Sequence, residues 1–239
     1  MADKALEGRT VLVTGSSKGI GAATAKALAA QGAHVILTGR DVRALEAVED
    51  AIHEAGGAST IAPVDLTETD GIARLASAIA GRWDTLDGLV IAAAYLPTLT
   101  PVTQIDAKQF GQAITTNILA TQALLAAFDP LLKRADAAKV IGLTSSVGET
   151  PRAYWSAYAS TKAAFDNLLE SYAQEVEKVS KVCVAILDPG ATRTSMRAKA
   201  YPGEDPKTVK EPDVVADRIV ELMVNGFDSA HRERVSEPD

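Results

Sequence analysis

The 239-residue sequence predicts an α/β fold, a doubly wound parallel sheet of six or seven strands forming a single domain over residues 1–239. Three observations point to it. Short apolar runs alternate with helical patterns along nearly the whole chain, as in parallel strands joined by helical crossovers. The runs are continuously apolar rather than alternating, which suits strands buried on both faces. A glycine-rich turn, Gly15-x-x-x-Gly19-x-Gly21, separates the first run from the first helical segment.

The elements follow in order. Thr10 to Thr14 is the first strand. An Ala-rich helix then runs to about Gln31 and stops at Gly32. Its Ala22, Ala25 and Ala29 allow close approach to the sheet. His34 to Thr38 is the second strand. Asp41 caps a helix carrying Leu45, Val48 and Ile52, which ends at Gly56-Gly57. Ser59 to Val64 is the third strand, and Thr67 caps a helix with Ile72, Leu75 and Ile79 on one face. Leu86 to Ala92 is the fourth strand. A long helix spans Asp106 to Phe128, with Pro130 just beyond its end.

Lys139 to Thr144 is the fifth strand. A helix from about Ser156 to Val176 carries Tyr158, Phe165, Leu169 and Tyr172. Lys181 to Leu187 is the sixth strand, stopped by Asp188-Pro189-Gly190. The polar segment at about 191–211, marked by Pro202, Gly203 and Pro206, reads as a lid over a substrate site. Pro212 starts a helix with Val215, Ile219 and Leu222 on one face. The tail, 225–239, shows no pattern and is expected to be irregular, with a seventh strand absent or very short.

Composition narrows the function. A net charge of −7 argues against a nucleic-acid-binding surface, which needs clustered Lys and Arg. The single cysteine, Cys183, excludes an internal disulfide and suits a reducing, cytoplasmic setting. Its apolar neighbours place it in the core. The N-terminus has no apolar leader segment, and no apolar run reaches the roughly 18 residues of a membrane span. No His, Cys, Asp and Glu cluster suggests a metal site.

The glycine turn suits a dinucleotide pyrophosphate. Glycines let the backbone approach closely, and the helix start supplies free N–H groups and partial positive charge. The same residues, Gly15-Ser16-Ser17-Lys18-Gly19, also match the G-x-S-x-G elbow of serine hydrolases. Ser17 would then be the nucleophile and His231 its base. Only one strand precedes the turn, however, and His231 lies in a charged tail. After the second strand, Thr38-Gly39-Arg40 offers a cation and no acid before it, and Lys18 adds a second cation. Charge complementarity therefore favours NADP(H) over NAD(H).

Tyr158 and Lys162 are four residues apart, so a helix presents both on one face. An ammonium beside a phenol favours the phenolate and is expected to lower the Tyr pKa. Ser145, thirteen residues before Tyr158, adds a hydroxyl.

Together these pieces resemble the short-chain dehydrogenase/reductase family, a Rossmann-type fold, over roughly Gly8 to Met223. The carriers are Thr14-Gly15-Ser-Ser-Lys-Gly19-Ile-Gly21, Asp65, Asn117, Ser145, Tyr158-Ala-Ser-Thr-Lys162 and Pro189-Gly190, in that order. The resemblance implies hydride transfer between NADP(H) and a small-molecule carbonyl or alcohol. Tyr158 would be the general acid/base, with Lys162, Ser145 and Asn117 completing the catalytic set. Lys162 would also bind the nicotinamide ribose, and Asn117 would hold a water in a proton relay. The cofactor would meet Gly15, Ser17, Lys18, Gly19, Ile20, Gly21 and Arg40 at one end. Asp65 and Leu66 would flank adenine, and Ala92, Ala93, Pro189, Gly190, Thr192 and Thr194 would line the rest. Ser145 is preferred to Ser146 because it stands three before Gly148, the family spacing.

The family's two long helices imply a homodimer or homotetramer. Two departures stand out. Ala92-Ala93-Ala94 replaces the family's Asn-Ala-Gly, which would loosen the turn beside the cofactor, and the tail lacks the family's ending. Both features keep open a catalytically weak dinucleotide-binding scaffold or sensor.

Overall fold

The computed structural model describes residues 4–236. The first three and last three residues, the latter ending the tail, lie outside the described residues. The strands are β1 (Thr10–Thr14), β2 (His34–Thr38), β3 (Ala58–Ile61), β4 (Gly88–Ile91), β5 (Lys139–Leu143), β6 (Cys183–Asp188) and β7 (His231–Arg234). They form one parallel sheet in the order β3-β2-β1-β4-β5-β6-β7. The order reverses between β1 and β4. In such sheets the crevice outside the C-terminal strand ends at the reversal is where ligands bind.

Helices cover both faces. They are α1 (Gly19–Ala30), α2 (Val42–Glu54), α3 (Gly71–Ala80), α4 (Ala107–Ile114), α5 (Ala120–Arg134), α6 (Ser146–Glu149), α7 (Ser156–Glu177), α8 (Ser195–Ala200) and α9 (Pro212–Asn225). One core layer packs Phe128 of α5 and Phe165 and Leu169 of α7 against Leu89, Val140 and Val184 of the sheet. The other packs Leu28, Leu45 and Ile219 against Val13, Val35 and Ile141. Complete burial of β1 explains why its sequence does not alternate. Among the described residues, no helix is long and apolar enough to cross a membrane.

Five local expectations are corrected. Thr67 does not cap α3, because its N–H and hydroxyl donate to Asp65 Oδ1 at 2.9 and 2.7 Å. The helix starts later, behind Asp70. The long helix is not continuous, since a π-helical turn, Thr115–Leu119, separates α4 from α5. Pro130 lies inside α5 rather than beyond it. Burial of Leu131 and Leu132 outweighs the backbone hydrogen bond that Pro130 forfeits. Cys183 opens β6 half-buried rather than in the core.

The fifth correction concerns the tail, which is not irregular throughout. β7 pairs in parallel with β6, from His231 opposite Ala185 to Arg234 opposite Asp188. Its sequence, His-Arg-Glu-Arg, carries no apolar signal. Ion pairs hold its charges instead, and the buried Val235 follows directly.

Candidate active site

The turn after β1 is shaped by close backbone approach. Gly15 has φ +67°, and a Cβ there would sit 2.9 Å from the Ala93 backbone. A Cβ on Gly21 would overlap the Gly15 carbonyl. Helix α1 begins with no side-chain cap and no acid in its first turn, so its leading N–H groups face the cleft.

One cleft at the C-terminal strand ends joins this turn to the Tyr-Lys pair. Gly15, Ser17, Lys18, Gly19, Ile20 and Gly21 line its first part, and Arg40, Asp65 and Leu66 line one side. Ala92, Ala93, Tyr158, Lys162, Pro189 and Thr194 complete the predicted residues that it contains. Gly190, Thr192, Asn117 and Ser145 do not line it. Gly190 adopts φ +60°, and Thr192 donates to Pro189 O at 2.9 Å, so both shape the loop behind the wall. Gln112 and Thr116 also line the cleft. They stand four apart, on one face of the helix leading to Asn117, and that spacing is the signal that finds them.

The Ala92-Ala93-Ala94 turn is not loose. Thr14 Oγ1 accepts the Ala92 and Ala93 N–H groups at 3.1 and 3.2 Å and donates to Val90 O at 3.3 Å. A hydroxyl on β1 thereby does the holding.

Asn117 sits in the π turn and is fully buried. Its Oδ1 accepts the Tyr95 N–H at 2.8 Å, and its Nδ2 donates to Tyr95 O at 3.0 Å and to Thr161 Oγ1 at 2.9 Å. The side chain therefore clamps the loop after β4 to α7. Ser145 immediately precedes α6, and the neighbouring Ser146 Oγ accepts from Arg152 at 3.3 Å.

Tyr158 and Lys162 are both nearly inaccessible on α7. Lys162 Nζ donates to Leu143 O at 2.6 Å and lies 5.9 Å from the Tyr158 ring centre. Burial pushes the Lys162 ammonium down to about 8, while the Asp166 carboxylate pulls it back up. Burial, then the charges of Asp188 and Asp166, push the Tyr158 phenol above its ordinary value. The expected lowering is thus reversed among the chain's own groups, because burial and the two carboxylates all push the phenol up.

Beside Tyr158, Leu96, Val147 and Ala159 form an apolar cluster with Leu99, Trp155, Met196 and Ala200. Leu96 and Leu99 come from the loop after β4, Val147 from α6, Trp155 and Ala159 from around the start of α7, and Met196 and Ala200 from the 191–211 segment. Two contacts fasten α8 there. Lys199 Nζ donates to Leu96 O at 2.7 Å, and Arg197 makes a bidentate pair with Glu204 at 2.7 and 2.5 Å. At the opposite end, Arg40 Nη1 stands 3.7 Å from Asp65 Oδ2. Burial pushes the Asp65 carboxyl up, but bonds from Thr67 and the charge of Arg40 outweigh it and hold it below the usual range.

The hydrolase reading fails on distance. Ser17 follows β1, whereas His231 lies on β7, four strands away, or about 19 Å at ordinary strand spacing. His231 instead bonds Glu233 at 2.9 Å.

Comparison with known proteins agrees with this geometry. The short chain dehydrogenase family pattern matches residues 9–205. The chain is 35% identical over 230 residues to the uncharacterized oxidoreductase YciK of Escherichia coli K12, covering 95% of this chain and 90% of that one. A short chain dehydrogenase structure from Pseudomonas syringae superposes with a TM-score of 0.94 at 37% identity, covering 98% and 97% of the two chains. Another, from Escherichia coli CFT073 complexed with NADPH, gives 0.94 at 33% identity over 100% of both chains. With its seven-stranded parallel sheet, its glycine turn and its Tyr158–Lys162 pair in one cleft, the chain belongs to the short chain dehydrogenase family of NAD(P)-dependent oxidoreductases.

Proposed function

We propose that this chain reduces a small-molecule carbonyl, or oxidises the matching alcohol, using NADP(H) in preference to NAD(H). The observation that carries the proposal is the single cleft shared by the glycine turn and the buried Tyr158–Lys162 pair. The residues fit the cofactor. A cradle without Cβ atoms and an uncapped helix start suit a pyrophosphate, and Arg40 and Lys18 suit a 2′-phosphate. The relative from Escherichia coli CFT073 was solved with NADPH, which supports the same choice.

When bound, NADP(H) supplies the hydride chemistry. The chain's own residues handle the proton. Tyr158, held protonated by burial, donates its phenolic proton to the substrate oxygen during reduction and recovers it in the reverse direction. Lys162 holds positive charge beside the phenol and orients the ribose. Ser145, just behind the cleft wall at the start of α6, would reach the substrate oxygen only when substrate draws it in, and Asn117 fixes the Tyr95 loop beside the cleft. The apolar cluster beside Tyr158 excludes water, and the 191–211 segment covers the substrate. The same reading takes α5 and α7 as the faces of a homodimer or homotetramer in a reducing, cytoplasmic setting.

The test is NADPH oxidation across a panel of aldehydes and ketones, with Tyr158→Phe in parallel. Turnover that falls about 100-fold or more in the variant is expected. NADPH binding without turnover on any carbonyl would favour the sensor reading.

A further inference from the structure

The side chains of β7 divide between two faces, with the strand period of two. Glu233 faces α9, where Arg218 donates to it at 2.6 and 2.9 Å, and His231 shares that face. Arg232 and Arg234 face the other way. Arg232 Nη2 donates to Asp166 Oδ2 of α7 at 2.7 Å, and Arg234 Nε stands 3.7 Å from Asp188 Oδ2 at the end of β6. Asp166 is almost fully buried, and its Oδ1 has no hydrogen-bond partner among the described residues. It stands four residues beyond Lys162 and eight beyond Tyr158, along one face of α7. Each of the two carboxylates that act on Tyr158 is therefore met by an arginine from the C-terminal strand.

We infer that Arg232 and Asp166 form a positioning pair that sets the protonation of Lys162 and so couples β7 to the acid–base chemistry of the cleft. The inference rests on the role proposed above for Tyr158 and Lys162. Other acids surround Arg232. Glu170 of α7 lies 3.2 Å away and Glu149 of α6 lies 3.9 Å away. Their side chains are 47% and 72% exposed, so water screens them, whereas that of Asp166 is 9% exposed and acts through protein. A unit charge about 6 Å away, at an effective dielectric of about 20, displaces a pKa by about two units. An unpaired Asp166 would hold Lys162 charged well above neutral pH, and Arg232 offsets part of that field. Burial lowers the Lys162 ammonium to about 8 and Asp166 is the group that pulls it back up, which places the Asp166 charge in the field at Lys162. A merely structural clasp between edge strand and helix would leave Lys162 indifferent to the sign of the charge removed.

The test follows the Lys162 side-chain carbon resonance by NMR in lysine-labelled full-length protein, assigned by its absence in Lys162→Met. Asp166→Asn is expected to lower the titration midpoint by about two units, and Arg232→Gln, the more distant charge, to raise it by about one. The double variant lies between the two single variants. Arg232→Lys, which keeps the charge, leaves it in place. If Asp166→Asn does not fold, the contrast between the two Arg232 variants decides. Shifts of the same sign, no shift, or equal shifts in Arg232→Gln and Arg232→Lys would overturn the inference. The readout needs no substrate, so it is separable from the Tyr158→Phe turnover test.

Discussion

Lys162 Nζ donates to the Leu143 carbonyl oxygen at 2.6 Å, tying an almost fully buried ammonium on α7 to the last residue of β5. Burial lowers its pKa to about 8, against about 10.4 in an unfolded chain. Between those values the unfolded state holds a proton that the folded state has released. Stability therefore rises with pH through this window, and below it a cost of about 3 kcal/mol is fully present. Lys162→Met removes this slope. Urea unfolding at pH 7, 8, 9 and 10 should show the wild type gaining on the variant as pH rises. Parallel pH profiles for the two proteins would mean that Lys162 is not the source. The same substitution should reduce kcat/KM about 100-fold or more, because the charge beside Tyr158 is lost.

Gly21 and Gly56 separate a functional glycine from a conformational one. A Cβ on Gly21 would overlap the Gly15 carbonyl, whereas Gly56, at φ +75°, has open space around it. Gly56→Ala should cost about 1–2 kcal/mol through its left-handed backbone and leave NADPH binding unchanged. Gly21→Ala should cost about 1–3 kcal/mol through overpacking and also weaken NADPH binding at least tenfold, because the cradle itself must shift. Fluorescence titration with NADPH distinguishes them; equal affinity in the two variants would remove Gly21 from the cofactor cradle.

The sheet was legible because β1, β2, β5 and β6 are buried on both faces and read as unbroken apolar runs. The cleft was legible where a side chain or a glycine has a fixed spacing, as with Tyr158, Lys162 and the turn after β1. What escaped was set by tertiary contact. β7 has no apolar pattern because Arg218, Asp166 and Asp188 balance its charges from distant positions. The π turn around Asn117 leaves no propensity signal, because it serves a clamp on Tyr95 that only the fold brings near. The direction of the Tyr158 shift escapes the sequence for a related reason. Spacing reveals the neighbouring ammonium, but not the burial and the Asp188 and Asp166 charges that raise the phenol.

Arg40 tests the cofactor choice. Its side chain is 64% exposed and 3.7 Å from Asp65, an arrangement worth under about 1 kcal/mol to the fold. Arg40→Ala should therefore leave the melting temperature nearly unchanged. A charge-assisted bond to a 2′-phosphate is worth about 1.5–3 kcal/mol, so the Kd for NADPH should rise roughly 10- to 100-fold while that for NADH stays constant. Equal loss for both cofactors would show that Arg40 does not read the phosphate.

Asn117 joins Tyr95, on the loop after β4, to Thr161 of α7. Its amide satisfies both backbone groups of Tyr95, which lines the cleft, and bonds Thr161, the residue before Lys162. Asn117→Ala leaves the half-buried Tyr95 N–H and C=O without these partners and removes a bond to the buried Thr161 hydroxyl, and should cost about 1–3 kcal/mol. Asn117→Asp keeps the acceptor for the Tyr95 N–H but loses both donors and buries a charge, so it should be no better. The consequence is local as well as global. With the clamp gone, the Tyr95 amide should exchange with solvent through local opening, at least tenfold faster than the amides of β1. Turnover should fall together with that protection, because Tyr95 and Lys162 are no longer held in one arrangement. Hydrogen exchange followed residue by residue checks this. Uniform acceleration across the sheet, with Tyr95 no faster than Val13, would reduce Asn117 to a general stabiliser and take away its part in shaping the site.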